Sequence, residues 1–433
     1  MQGSAHWFRR LLVAAVCWCS TCFGTALGGE RNSSFAAALE SIRSEELKGH
    51  VDYLADDALE GREAGSRGSR EAGDYLAGKL AELGLGGAGV DGGFFQPFDP
   101  NFRNVLGLVR GADPDLKQEF LVVGAHYDHL GYGTKQNSRG HVGQIHNGAD
   151  DNASGTSALL ELAEAFTMLP QPPRRSILFA LWDAEEKGLV GSKYWTDHPT
   201  LPLERVAVLL NVDMVGRLRD DRLLVYGTRT GYGWRRLISG SNEDPGLQLD
   251  FTWDLNANGD HWPFFGRGIP VLMMHTGLHE DYHQPSDDAP LINVDGMRRV
   301  ARFLFALSYD LAERDALPHS RDAAHHENES THREGLGGKP DRLERLGITW
   351  RADDAEPRAI VLTQVVSGSP ADRAGLKIGD YVYQVAGRDF ADEAEFAELA
   401  RTLPAPLTLL VERDGRLRTV EIHLESESLR RAA

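Results

Sequence analysis

Five short segments of the chain set histidines and carboxylates at spacings that could hold a metal ion or move a proton. The first is Gly124-Ala125-His126-Tyr127-Asp128-His129-Leu130-Gly131. It follows Phe120 to Val123, an apolar run that reads as a buried strand. His126 and Asp128 are two residues apart, so in extended backbone their side chains point the same way. That suits a ligand imidazole whose tautomer a carboxylate fixes, although a surface pair has the same spacing. The second segment, His146-Asn147-Gly148-Ala149-Asp150-Asp151-Asn152-Ala153-Ser154-Gly155, leads into a helix. One acidic or Asn residue there is an ordinary N-cap; two adjacent aspartates exceed what a cap needs. In the third, Trp182-Asp183-Ala184-Glu185-Glu186-Lys187-Gly188-Leu189, an apolar strand runs into two adjacent glutamates. Neighbouring carboxylates repel, and a metal gives a reason for keeping both: one binds it, the other stays free as a base. An exposed loop edge would look the same. Asp213 in Asn211-Val212-Asp213-Met214-Val215-Gly216 and His283 in His279-Glu280-Asp281-Tyr282-His283 complete the set. Alone, each reads equally as a turn or loop residue.

The elements that must position these residues are short. Phe120 to Val123, Ile177 to Trp182, Val206 to Leu210, Leu223 to Tyr226 and Ile269 to Met274 read as buried strands. Arg70 to Leu83 and Ser154 to Leu169 have helical spacing, and Met297 to Leu311 marks a closing helix. Strands alternating with helices predict a layered α/β domain with a mostly parallel sheet over residues 30–315. Each candidate ligand falls at or past a strand end or in a loop, where open α/β sheets place their sites. Residues 316–340 are polar, broken by Gly and Pro, and carry His319, His325, His326 and His332. Without a fixed ligand spacing this tract predicts a flexible linker. Short β-like runs and a helical stretch near Glu393 to Thr402 predict a second, β-rich unit at 342–425.

The 433 residues suit two or three domains. The formal net charge of −18, with no long basic stripe, argues against nucleic acid as a partner. Arg9 and Arg10 precede an apolar stretch, Leu11 to Cys19, and small residues follow. This predicts a cleaved export signal over residues 1–28 and a periplasmic or secreted product, in preference to an N-terminal anchor or a lipid on Cys22. No other stretch is long and apolar enough to span a membrane. The three cysteines, Cys17, Cys19 and Cys22, all lie in that segment. Any metal in the exported protein must then be held by His and carboxylate.

Taken in order, the five segments resemble the co-catalytic di-zinc exopeptidases, the family of bacterial leucyl aminopeptidases, aminopeptidase Y and glutamate carboxypeptidases. The resemblance covers about residues 45–312. It rests on the His-x-Asp, the Gly-Ala-Asp-Asp-Asn-Ala-Ser-Gly run, the Glu-Glu-x-Gly-Leu-x-Gly-Ser run and Leu59-Glu60-Gly61-Arg62. It implies a three-layer domain and an aminopeptidase that hydrolyses N-terminal residues from peptides, which the N-terminal signal would export. Asp151 would bridge two Zn²⁺ per chain; Glu186 and His283 would complete one shell, His126 and Asp213 the other. Glu185 would be the general base acting on a metal-bridged hydroxide, and Asp128 the orienting partner of His126. The Asp151–Asn152 peptide would be cis. Tyr282 and His279 are candidates for oxyanion stabilisation. Asp260-His261 lacks the family's preceding Ser, which is Gly259 here, and is given no catalytic role. Mn²⁺ and Co²⁺ also suit such ligands.

Arg345-Leu346-Gly347-Ile348, Ser367-Gly368-Ser369-Pro370-Ala371 and Ala374-Gly375-Leu376-Lys377-Ile378-Gly379-Asp380 resemble a PDZ domain of the bacterial protease type. The resemblance implies that Leu346, Gly347 and Ile348 present backbone N–H groups to a peptide's C-terminal carboxylate, or that the unit serves as a packing or regulatory module. Two alternatives stay open: a carboxypeptidase or a glutaminyl cyclase on the same fold, and a non-catalytic PDZ peptide-binding protein.

Overall fold

The computed structural model describes residues 33–242, 246–252, 255–327 and 341–424. The expected export signal, with its three cysteines, and His332 lie outside these residues. In the first unit, nine strands form one mixed sheet: β1 (Gly86–Gly87), β2 (Phe95–Phe98), β3 (Phe102–Val109), β4 (Phe120–His126), β5 (Ser176–Trp182), β6 (Val206–Val212), β7 (Arg222–Tyr226), β8 (Gln248–Phe251) and β9 (Val271–His275). Their order is β1-β3-β5-β4-β6-β9-β7-β8, with β2 paired to β3. The central strands β5, β4, β6 and β9 are mutually parallel, whereas β3–β5 and β7–β9 are antiparallel. The continuous apolar runs follow from this. A strand covered on both faces has no solvent side to alternate toward.

The alternation builds three layers. On β4, Leu121, Val123 and Ala125 join the core that includes residues of helices α1 (Ser33–Ser41), α2 (Ser44–Leu54), α3 (Arg67–Glu82) and α4 (Gly155–Thr167). Phe120 and Val122 face the opposite core, with Trp182, Trp195 and Phe264. The latter two come from α5 (Val190–Asp197) and α7 (His261–Phe265). The last helix of the unit, α8 (Val294–Glu313), buries Met297, Val300, Leu304, Leu307 and Leu311, the five positions whose spacing predicted it. Strands β4 and β6 run two or three residues further than their apolar runs predict, which carries His126 onto the end of β4.

The second unit is an antiparallel sheet of β10 (Asp341–Leu343), β11 (Ile348–Ala352), β12 (Ile360–Val365), β13 (Tyr381–Val385), β14 (Arg388–Asp389), β15 (Leu407–Arg413) and β16 (Arg416–Ile422). Two helices pack with it, α9 (Pro370–Arg373) and α10 (Glu393–Thr402), around Trp350, Leu362, Phe396 and Leu409. The units meet through α6 (Trp234–Ser241) and β8. Arg235 pairs with Glu412 at 2.8 Å, and its guanidinium lies over the rings of Phe251 and Tyr381. The Leu249 N–H donates to the Asp414 carbonyl and the Asn242 amide to that of Gly415. Of the tract 316–340, the described part, 316–327, lies against the first unit: Ser320 bridges Gly231, and His325 stacks on Phe265 at 4.1 Å.

Candidate metal centre

Every residue of the predicted set lies past the carboxyl end of a central strand or in a loop beside it. His126 ends β4; Glu185 and Glu186 follow β5, and Asp213 follows β6. Asp151 sits in the turn before α4, and His283 in the loop after β9. His126 Nε2 lies 3.2 Å from Asp151 Oδ1 and 3.5 Å from Asp213 Oδ1. His283 Nε2 lies 3.1 Å from Asp151 Oδ2 and 3.4 Å from Glu186 Oε1. Asp151 therefore offers one oxygen to each of two histidine–carboxylate groups. The Asp151–Asn152 peptide is cis.

The local sequence explains how the loops stay in place. Asn152 donates to the Val212 carbonyl and accepts from the N–H groups of Met214 and Gly155. Asp150 accepts from the Gly216 N–H at 2.6 Å, and the Ser154 hydroxyl accepts from the Val215 N–H. The Asp-Asp-Asn-Ala-Ser run thus welds the Asp151 turn to the Asp213 loop, which is why it exceeds a cap. Asp287 Oδ2 accepts from the N–H groups of both Asp150 and Asp151. Arg62, fully buried, donates to the carbonyls of Tyr127, Leu54, Asn147 and Gly148, joining the loop after β4 to the Asp151 turn. Positive φ values occur at Ala184, beside Glu185, at Met214, beside Asp213, and at His283. Non-glycine residues tolerate this conformation only where the surroundings enforce it, commonly at functional sites.

Asp128 does more than face His126. Its Oδ1 lies 3.6 Å from His126 Nδ1, which is closer, at 3.2 Å, to the Asp128 carbonyl. The carboxylate itself accepts from the N–H of Glu185 at 3.0 Å and of Glu186 at 3.4 Å. It therefore braces the glutamate pair from the neighbouring strand. His279 Nε2 is bound to Asp150 Oδ2 at 3.1 Å and does not line the cavity, so it is poorly placed for an oxyanion; Tyr282 does line it. One residue escaped the sequence reading. His129 Nδ1 lies 2.9 Å from Glu186 Oε1 and 3.9 Å from Asp151 Oδ2. The nearby His126-Tyr127-Asp128 spacing gave no reason to single it out.

A cavity of about 270 Å³ opens over the cluster, lined by His126, Asp151, Glu185, Glu186, Asp213 and His283, with Arg139 and Tyr282 at its wall. A larger cleft of about 810 Å³ lies by the amino-terminal end of β6, and no His/carboxylate cluster lines it among the described residues. We take the smaller cavity as the candidate site, because its lining carries the chemistry.

Burial pushes the Glu185 carboxyl well above the ordinary carboxylate range, against the opposing pull of His126. Burial works against charge on His126, but Asp128, Asp151 and Asp213 outweigh it and raise the imidazole well above its usual value. His283, likewise opposed by burial, is raised to about 10 by Asp151 and Glu186. Burial works to raise the Asp151 carboxyl, yet His126 and His283 hold it well below its usual range. Several buried donor atoms nevertheless lack a hydrogen-bond partner: both ring nitrogens of His129, Glu186 Oε1 and Asp213 Oδ1. Buried polar atoms are rarely left so. Together with two groups of nitrogen and oxygen donors, His126/Asp151/Asp213 and His129/Asp151/Glu186, these orphans fit divalent metal ions of the zinc type.

In the PDZ-like unit, Gly347 adopts φ +76° and its N–H donates to the Leu343 carbonyl at 3.0 Å. Ile348 opens β11, which pairs with β12 on one side and with β10 on the other, Leu343 opposite Ile348. Leu346 and Leu343 are buried in the unit's core. The chain's own strand thus occupies the edge beside the predicted carboxylate loop.

Residues 104–308 match the model of Peptidase family M28, and residues 361–413 match that of the PDZ domain. Aminopeptidase YwaD of Bacillus subtilis is 26% identical over 230 residues, covering 50% of this chain and 46% of that protein. Leupeptin-inactivating enzyme 1 of Streptomyces exfoliatus is 28% identical over 258 residues, covering 56% and 51%. The chain spans about half the length of these curated relatives. Among solved structures, the LapA aminopeptidase of Legionella pneumophila superposes with a TM-score of 0.56 at 19% identity, covering 72% of this chain and 81% of that one. BSAP, a zinc aminopeptidase from Bacillus subtilis, superposes at 0.51 and 18% identity, covering 63% and 96%. At such identities these likenesses speak for the fold. We conclude that the chain joins a Peptidase family M28 domain to a C-terminal PDZ domain.

Proposed function

We propose that this protein is an exported zinc-dependent aminopeptidase. The observation that carries the reading is Asp151, shared between two histidine–carboxylate groups in one cavity beside Glu185. His126, Asp151 and Asp213 would hold one Zn²⁺, and Asp151, Glu186 and His283 the other. Two ions held there would lower the pKa of a shared water and polarise the scissile carbonyl. Mn²⁺ or Co²⁺ would serve the same donors.

Glu185 is the proposed general base. Its neighbour Glu186 turns toward His129 and His283, while Glu185 lines the cavity without belonging to either donor group. The positive charge of bound ions would offset the burial that raises the Glu185 pKa, and a carboxylate so placed takes a proton from the attacking water and returns it to the leaving amine. Asp128 holds the backbone of both glutamates, which keeps the base and the ligand from exchanging places. The carboxylates of the cavity suit a substrate's free N-terminal ammonium. Arg139 in the same wall favours a second reading, a carboxypeptidase, because a guanidinium suits a C-terminal carboxylate.

One panel separates these readings. Aminoacyl chromogenic substrates, N-blocked peptides and C-blocked peptides are assayed with and without chelator, beside Glu185→Gln. Chelator-sensitive release from free-amine substrates, lost in Glu185→Gln with its metal retained, is the expected result. Activity on N-blocked peptides alone refutes the aminopeptidase, and a near-normal kcat in Glu185→Gln refutes the base. A metal content near two ions per chain is expected, whereas one ion favours the cyclase alternative.

Two further roles belong to this reading. Residues 1–28 act as the export signal, tested by N-terminal sequencing of the periplasmic or secreted protein. The loop Leu346-Gly347-Ile348 takes peptide C-termini once β10 yields the edge. Equal binding of free-acid and amidated peptides refutes that role.

A further inference from the structure

We infer that His129 is a fourth protein donor at the metal position formed by Asp151, Glu186 and His283. The inference rests on the two-metal reading above. His129 follows β4 by three residues, and its backbone is pinned there by an N–H bond to the Arg62 carbonyl and a bridge to Glu63. Its side chain is fully buried. Its Cγ lies where a Cβ on Gly148 would come within 2.4 Å, so the ring is wedged against that turn.

Nδ1 comes within 2.9 Å of Glu186 Oε1, yet neither atom has a hydrogen-bond partner. The separation is right for a hydrogen bond, but the direction is wrong. Nε2 of the same ring is also unpartnered. An imidazole that merely oriented Glu186 would donate a proton to it, as histidines behind metal ligands do to carboxylates. Two donor atoms this close without a shared proton are placed as ligands of one ion would be.

The opposite side of the cluster says the same. His283 Nε2 addresses Asp151 Oδ2 and Glu186 Oε1 at 3.1 and 3.4 Å, and His129 Nδ1 addresses the same two oxygens at 3.9 and 2.9 Å. The rings stand edge-on with centroids 5.8 Å apart, straddling the carboxylates. Asp151, Glu186, His129 and His283 would supply two nitrogens and two oxygens, and His126, Asp151 and Asp213 three donors. The two positions are therefore unequal: the first would take a shared water only as a fifth ligand, whereas the second would take it as its fourth.

The test uses the full chain loaded with Co²⁺. Each imidazole bound to the paramagnetic ion contributes one exchangeable ring N–H proton shifted far downfield in the ¹H spectrum. Three such signals are expected in the wild type, from His126, His129 and His283, and two in His129→Ala. A wild-type spectrum with two overturns the assignment without any variant. Competition with a chelator reads the affinities. In His129→Ala one ion should weaken by more than about 100-fold, beyond the range for supporting residues, while the other stays within about threefold. A variant that keeps all the wild-type signals overturns the assignment even if one affinity falls about 10–100-fold, since His129 would then act through Glu186. Metal content of the wild type is read separately. One ion per chain removes the two-metal reading, while loss of a shifted signal in His129→Ala would still assign His129 as a donor.

Discussion

Replacing Arg62 with Met should unfasten the loops that carry the proposed metal ligands while leaving the core filled. The guanidinium of Arg62 is 1% exposed and reaches four backbone carbonyls. Nε donates to Tyr127, Nη1 to Leu54 and Asn147, and Nη2 to Gly148. Burial depresses its pKa to about 10, against the nearby Asp128, Asp151, Asp287 and Glu186. It still stays charged at neutral pH. Met matches the aliphatic stem but offers no donor. Stranding one buried carbonyl costs about 1–3 kcal/mol, but the loops can relax and admit water, so the four penalties do not add. Losing the buried charge also relieves its desolvation. Balancing these, a loss of about 3–5 kcal/mol is expected, as for other broken buried charge networks. Arg62→Lys keeps the charge but cannot reproduce the planar fork that spans four acceptors, so it should recover only part. The assay is equilibrium urea unfolding of the metal-free chain, paired with competitive chelator titration of the loaded one. Both loops lead to proposed ligands, so metal affinity should fall about 10–100-fold, as when supporting residues are lost. If Arg62→Met lies within about 1 kcal/mol of the wild type with unchanged metal affinity, the guanidinium does not hold the loops.

Gly148→Ala should abolish metal binding, because the new Cβ would meet the Asp151 carbonyl oxygen at 2.1 Å and the His129 ring at 2.4 Å. Gly143→Ala is the control: φ is positive there too, but nothing lies within 4 Å, so equal losses in the two variants would refute the steric argument. Arg235→Met should cost about 3–5 kcal/mol by leaving the fully buried Glu412 unpaired, while the remaining contacts between the units hold them together. Urea unfolding within about 1 kcal/mol of the wild type would contradict that loss. Burial raises the Glu356 carboxyl to about 8, opposed by the Arg235 N–H. Between its ordinary value near 4.5 and that raised value the folded chain holds a proton that the unfolded chain has released. This term therefore lowers stability as pH rises, by at most about 1.4 kcal/mol per pH unit. Glu356→Gln should flatten the decline between about pH 5.5 and 7.5, and an unchanged slope in urea unfolding would show that Glu356 titrates normally.

What could be read from the sequence follows from where the physics is local. Strands covered on both faces write continuous apolar runs, so β4, β5, β6 and β9 were legible, and with them the strand ends that carry His126, Glu185, Glu186 and Asp213. The Asp-Asp-Asn-Ala-Ser-Gly turn was legible because one short stretch must satisfy several backbone groups of the neighbouring loop, and few residue types can. His129 obeys no such local rule. It lies beyond the strand, where no period applies. Its approach to Glu186 depends on the parallel pairing of β4 with β5, which sets His126 opposite Trp182, and on Arg62 gripping the loop that follows. Arg62 itself stood in a recognisable Leu-Glu-Gly-Arg segment, but nothing in that segment says that the charge is buried. The same holds for Arg229, Arg235 and Arg236, which pair with Asp353, Glu412 and Asp389 of the other unit. Strand β10 was hidden for the opposite reason. Its three residues have no pattern of their own, and the edge of β11 makes them a strand. A residue's chemistry was therefore visible where its own segment had to satisfy it, and invisible where a distant segment did so. His129 is the sharpest case, because no residue in its own segment offers its ring nitrogens a hydrogen bond and a metal between it and Glu186 would satisfy one of them.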